Sequence, residues 1–147
     1  MKLEDEIQQK TFKSEQQKLL INIIYTGNWI NQVTVRTLKK HNISPQQFNI
    51  LRILRGQKPN PSTILLLQER MLDKLSNASR LVEKLRAKGL VDRKMNLEDR
   101  RCVDVTITEK GLKLLKELEK LPIDDMLASI SDKDAKMAND VLDKARG

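Results

Sequence analysis

The sequence predicts a mainly α fold with a small β-wing, made by one domain of 147 residues. Three observations predict it. Apolar residues recur at helical spacing along most of the chain, with capping signals at the joints. Between residues 90 and 107 two strand candidates replace the helical pattern, the second of them, Val103–Ile107, alternating in the manner of a half-buried strand. Aromatic residues are 3% of the chain against 39% hydrophobic overall, so the core must be built from Leu, Ile and Val.

The first forty residues read as one long helix. Leu19, Ile23 and Ile30 mark one stripe, and Leu20, Ile24 and Leu38 widen it beyond what one packing face requires. The β-branched run Leu19–Tyr25 mimics a strand, but length and the surrounding helix formers favour helix. Such a surplus suggests an arm that packs on a second chain. Next, Ser44-Pro45-Gln46-Gln47 places serine at an N-cap, proline at the first helical position and glutamine three residues after the serine. The helix it starts carries Phe48, Leu51, Ile53 and Leu54 and ends at Gly56. Ser62 is a further N-cap candidate, for a helix Thr63–Leu72. A third helix begins after Asp73, with Leu75, Ala78, Leu81, Val82 and Leu85 facing inward, and stops at Lys88-Gly89.

Three short helices in so few residues are compatible with a helix-turn-helix unit. Two strands follow, Leu90–Lys94 and the alternating Val103-Asp104-Val105-Thr106-Ile107, around a polar tip, Met95–Arg101. A hairpin placed beside the third helix makes the unit a winged helix-turn-helix. Thr108 caps a helix through Leu112, Leu115 and Leu118. Pro122 should break it, and Ser131 opens a last helix with Met137, Val141 and Leu142. The expected organisation is one domain, 1–147, with helices for dimerisation at 1–43 and 112–147 around a lobe at 44–111.

Charge points to a partner. The net charge is +8, and residues 44–111 carry most of it, with 14 basic against 8 acidic groups. A polyanion is the obvious candidate, and a solvated basic surface is the bland alternative. One cysteine cannot form an internal disulfide, and the start Met1-Lys2-Leu3-Glu4-Asp5-Glu6 is acidic where a secretory leader would be basic and then apolar. A cytoplasmic protein with no membrane partner is therefore expected. A single histidine and five scattered glycines offer no acid/base constellation, metal site or phosphate loop, so neither enzymatic activity nor a cofactor is expected.

The run Ser79-Arg80-Leu81-Val82-Glu83-Lys84-Leu85-Arg86-Ala87-Lys88-Gly89-Leu90-Val91, then Asp99-Arg100-Arg101, then Val105-Thr106-Ile107-Thr108-Glu109-Lys110-Gly111, resembles the MarR family of bacterial regulators. The resemblance covers almost the whole chain. It implies a homodimer with interlocked N- and C-terminal helices, and two winged units on a pseudo-palindromic operator in double-stranded DNA. Many members are repressors that release DNA on binding small phenolic or lipophilic anions, or on thiol oxidation. This chain departs from many relatives at the turn before the recognition helix, where Met71-Leu72-Asp73-Lys74 stands in place of a glycine-containing turn.

The candidate sites follow. On the third helix Ser76, Arg80 and Glu83 should turn outward, flanked by Asn77, Ser79 and Lys84. Arg suits guanine edges, Asn suits adenine edges, and Ser and Lys suit phosphates. The bland alternative is a solvated helix face. Glu83 repels phosphate and is expected either to orient Arg80 or to sit at the rim. On the wing, Arg101 is placed to enter a minor groove, aimed by Asp99 through its guanidinium or through a cap on the turn, with Arg100 attracting phosphate. Leu19, Ile23, Ile30, Val141 and Leu142 are the expected dimer contacts. Tyr25 and Trp29 are candidates for an effector pocket between arm and lobe, or for plain interface packing. Cys102 follows two arginines that would favour its thiolate, yet an inert cysteine is the preferred reading because redox-sensing relatives carry theirs in the N-terminal helix. His41 reads as a helix C-terminal cap.

The function expected is a sequence-specific DNA-binding transcription regulator, acting as a ligand-responsive repressor. The alternative is a helical protein-interaction module with a basic face and no sequence-specific DNA binding.

Overall fold

The computed structural model describes residues 1–147. The chain runs α1 (Leu3–Glu6), α2 (Glu15–Lys39), α3 (Pro45–Gln57), β1 (Ser62–Thr63), α4 (Ile64–Arg70), α5 (Ala78–Ala87), β2 (Val91–Met95), β3 (Val103–Ile107), α6 (Glu109–Leu118) and α7 (Asp132–Arg146). The expected mainly α architecture with its β-wing is what the chain adopts.

The first forty residues are not one helix. Ser14 accepts from the Gln17 amide at 3.1 Å, and the Gln17 side chain accepts from the Lys13 amide at 2.8 Å. This reciprocal cap starts α2 at Glu15 and sets α1 apart, with Gln8 at φ 54° between them. The short α1 lies back along α2, where Glu4 pairs with Lys18 and the Tyr25 hydroxyl donates to Glu6 at 2.6 Å.

In the lobe, α3 starts at the capping box read from sequence. Ser44 Oγ accepts from the Gln47 amide, and Gln47 Oε1 accepts from the Ser44 amide, both at 3.1 Å. Phe48, Ile50, Leu51, Ile53 and Leu54 fill the centre of the core. Ser62 does not cap a helix. Its backbone pairs with Val105, which makes β1 a third strand in the order β1-β3-β2, and Thr63 caps α4 instead. That helix ends at Arg70, two residues before the expected Leu72, because Met71 turns extended at ψ 139°.

The β2–β3 hairpin is antiparallel with Arg93 opposite Val105 and Met95 opposite Val103, one residue later than expected for the first strand. Gly89 sits at φ 73° just beyond α5, in the left-handed conformation that closes a helix. Gly111 is required for another reason. A Cβ there would collide with the Leu90 carbonyl and lie 2.7 Å from Ile107, so glycine lets α6 start flush against the sheet. Thr108 caps α6, and Ser131 caps α7. His41 lies just past α2 with its amide bonded to the Leu38 carbonyl at 2.9 Å, and Lys40 holds the cap position proper.

Candidate nucleic-acid interface

Helix α5, the expected recognition helix, is held by one face. Ala78, Val82 and Leu85 are buried and Leu81 is partly buried against the core. At 3.6 residues per turn that orientation forces Ser79, Arg80, Glu83 and Lys84 into solvent. Arg80 and Lys84 make no ion pair in the chain. Glu83 does not orient Arg80. It accepts from Arg86 and Arg93, each at 3.0 Å, which ties α5 to β2. The two guanidiniums, Arg86 first, hold its carboxyl below the usual carboxylate range. Their charge is thereby spent internally, whereas that of Arg80 and Lys84 is free.

The start of α5 differs from the sequence expectation. Asn77 is the N-cap, in extended conformation, with Oδ1 accepting from the Arg80 amide at 3.0 Å. Only its side-chain NH2 remains to donate. Ser76 therefore precedes the helix and does not lie on its outer face. Leu75, expected inward, is 97% exposed, because helical geometry begins only at Ala78, after the Asn77 cap.

The turn before α5 is made without glycine and without any positive φ. Side chains fix it instead. Asn49 on α3 accepts from the Leu72 amide at 2.9 Å, Asp73 Oδ1 accepts from the Leu75 amide at 3.0 Å, and Gln68 Nε2 donates to the Ser76 carbonyl at 2.8 Å. The Leu75 amide, followed by the side chains of Gln46 and Ser76, holds the Asp73 carboxyl below its usual range.

At the wing tip, Asn96 organises the loop. Its Oδ1 accepts from the amides of Glu98 and Asp99, both at 2.9 Å, while its NH2 donates to both oxygens of Asp104. Asp99 Oδ1 accepts from the Arg101 backbone amide at 3.0 Å. Of the two ways in which Asp99 was expected to act, the turn cap is the one formed, with no bond to the Arg101 guanidinium. Arg100 and Arg101 are both exposed and unpaired. Cys102 is not activated by them. Its thiol donates to Asp99 at 3.6 Å, and the Asp99 charge, with desolvation next, pushes its pKa up. Asn96 was not singled out from sequence. Its position just after the first strand, at the start of the polar tip, was the available signal.

A cavity of about 970 Å³ lies between arm and lobe. Ile30 and Thr34 of α2, Gln46, Phe48 and Arg52 of α3, Leu72 and Asp73 of the turn, and Met126 line it. Arg52 sits 5.3 Å from the Phe48 ring centre and bonds Asp124 at 2.9 Å. Tyr25 and Trp29 do not line it, although Gly27 and Ile30 beside them do, and the Tyr25 hydroxyl is engaged with Glu6. Of the expected dimer contacts, Leu19, Ile23 and Val141 are exposed, and Ile30 and Leu142 are partly so. No cluster of His, Cys, Asp and Glu could hold a metal, and no helix is long and apolar enough to cross a membrane.

Comparison with known proteins agrees with this geometry. Residues 43–103 match the MarR family model. The HTH-type transcriptional regulator MhqR of Bacillus subtilis is 28% identical over 128 residues, spanning 85% of this chain and 87% of that protein. A MarR transcription factor from Planctomyces limnophilus is 30% identical with a TM-score of 0.67, over 92% of this chain and 95% of that one. The S. aureus MepR–DNA complex shares the fold at a TM-score of 0.75 and 18% identity, over 92% of this chain and 97% of that one. With its winged lobe, recognition helix and basic wing tip in place, this chain belongs to the MarR family of winged helix-turn-helix transcription regulators.

Proposed function

We propose that the chain is a cytoplasmic homodimer that binds a pseudo-palindromic operator in double-stranded DNA and acts as a repressor released by a small-molecule effector. One observation carries the DNA reading. A helix fixed by Ala78, Val82 and Leu85 presents Ser79, Arg80 and Lys84 without internal partners, beside a wing whose Arg100 and Arg101 are equally free. Neither feature is needed for packing. Residues 44–111 are the DNA-binding lobe in this reading, and 1–43 and 112–147 are the dimer arms. Arg80 reads a base edge, Ser79, Lys84 and Arg100 meet phosphates, and Arg101 enters the minor groove. Asn77 and Ser76 contribute through the helix start.

The dimer is supported by α7, in which no residue is buried, and by the exposed stripe of α2. An effector in the cavity would touch Leu72 and Asp73, the segment that leads into α5. That MepR was solved with DNA and MhqR is named a transcriptional regulator supports the same reading. Nothing in the donor set suggests catalysis.

The test is selection of operators from a random duplex pool with purified protein, followed by affinity measured against salt. An enriched inverted repeat and a steep fall of log K with log salt, about 0.9 per phosphate contact, are expected. No enrichment with a flat salt response would instead favour a basic face made for an acidic protein.

A further inference from the structure

We infer that Leu75 is a specificity-determining residue, which reads a thymine by packing on its 5-methyl group in the major groove. The inference rests on the DNA-binding reading above and deepens it.

Leu75 occupies the position that continues the buried stripe Ala78, Val82 and Leu85 backward by one turn. Were α5 one turn longer, Leu75 would be core. Asn77 caps the start of α5 at φ −95°, ψ 97°, so the helix does not reach back to Leu75, whose side chain is left 97% exposed. Its exposure is imposed by a rigid turn. The Leu75 amide donates to Asp73 Oδ1 at 3.0 Å, the Ser76 amide to the Asp73 carbonyl at 3.2 Å, and the Ala78 amide to Gln68 Oε1 at 3.0 Å. Each bond uses backbone atoms of the turn with Asp73 or Gln68, so the turn keeps its shape without the leucine side chain. A fully solvated leucine gains nothing for folding.

Its place explains what it can gain elsewhere. Leu75 stands two residues before the N-cap, and the N-terminal end of a recognition helix is the end that meets base edges. The major groove offers an apolar side chain one matching feature, the thymine 5-methyl group, since the remaining base edges present hydrogen-bond donors and acceptors. Arg80, one turn into the helix, supplies the polar contact, and Leu75 supplies the apolar one. Because the turn is already ordered, seating the side chain does not require the backbone to be fixed on binding.

The experiment uses the selected operator with each thymine replaced in turn by deoxyuridine, which removes only the methyl group. Wild type should lose about fourfold in affinity per half-site at one position, the value of one buried methyl-sized group. Leu75→Ala, which removes no buried atoms and should melt like wild type, should lose a similar factor on the thymine operator. It should then be indifferent to deoxyuridine at that position alone. If Leu75→Ala shows the same thymine-to-deoxyuridine ratios as wild type at every position, or binds as tightly as wild type, the inference is overturned while the DNA reading stands. Failure to enrich any operator overturns the DNA reading and, with it, this inference.

Discussion

The lobe at residues 44–111 and the helical arms around it are stabilised in opposite ways. The lobe contains 14 of the 18 residues of the core cluster, although its helices run only 7 to 13 residues. The two longest helices, α2 with 25 residues and α7 with 15, bury one residue between them, Leu38. Helix length is therefore no guide to where this chain gets its stability. Helical hydrogen bonds alone hold an isolated segment marginally in water, and most helical stability in proteins comes from packing an apolar face. The lobe packs its faces on one another. The arms leave Leu19, Leu20, Ile23, Ile24 and Trp29 on α2, and Met137 and Val141 on α7, open to solvent in the single chain, which is the arrangement the proposed dimer would cover.

The comparison breaks most visibly if the arms are charged. Ile23→Glu together with Val141→Asp should abolish the proposed dimer, with sedimentation as the measurement. Operator affinity should fall by about a hundredfold or more, because two linked half-site contacts become separate events. Wild type sedimenting as a monomer at micromolar concentration would remove the basis for that expectation.

Within the lobe, Arg80→Ala should cost about 1–3 kcal/mol per half-site and relax preference at one base pair, leaving the melting temperature unchanged. A repeated operator selection with the variant checks this. Retained preference at every position would mean that another residue reads the base.

A smaller effect is expected at the wing. Arg101→Ala should reduce operator affinity about tenfold, or 1.4 kcal/mol, at unchanged stability. Asp99→Ala should lose less, through a looser turn, because Asp99 holds the Arg101 backbone and leaves its guanidinium free. Anisotropy titrations at fixed salt decide the register. Loss in Arg100→Ala without loss in Arg101→Ala would shift it by one residue.

The smallest effect is on acid stability. Glu83 has its pKa lowered from 4.5 by Arg86 and Arg93. Its contribution is complete above about pH 4.5, the unfolded value, and is lost as pH falls through the lower folded one. Glu83→Gln should therefore melt slightly lower than wild type at neutral pH and converge with it in acid. A difference that persists at pH 2 would show that the side chain acts by packing rather than by charge. The group is exposed, so the effect should be slight.

Much of the lobe was legible in the residues because its determinants are local. The Ser44–Gln47 box closes over three residues, and both of its bonds form. The alternation Val103, Val105, Ile107 places Val105 and Ile107 in the core. The cap Thr108 needs only its own next turn, as does Ser131 in the arm. Arg80 and Lys84 were legible for the same reason, since the buried stripe of a helix dictates its opposite face. Even the Ser14–Gln17 signal that starts α2 was present, outweighed by the long apolar periodicity around it.

What tertiary structure alone decided are the positions where two local rules compete or a distant segment intervenes. Leu75 satisfies the helical stripe, yet Asn77 capping α5 and the bonds from Gln68 and Asn49 place it in solvent. Ser62 has the chemistry of a cap and becomes a strand because Val105, more than forty residues away, offers its backbone. Glu83 could face Arg80 on its own helix, but Arg93 on β2 is brought within 3.0 Å, and it joins Arg86 in taking the carboxylate. The cavity between arm and lobe belongs to no segment; it is the space left where α2, α3, the turn at Leu72–Asp73 and residues 123–126 meet. Periodicity and caps fix which face of an element is apolar and where a turn of helix can begin. Which of several equally suitable partners a side chain meets depends on long-range packing, and that is decided only when the whole core closes.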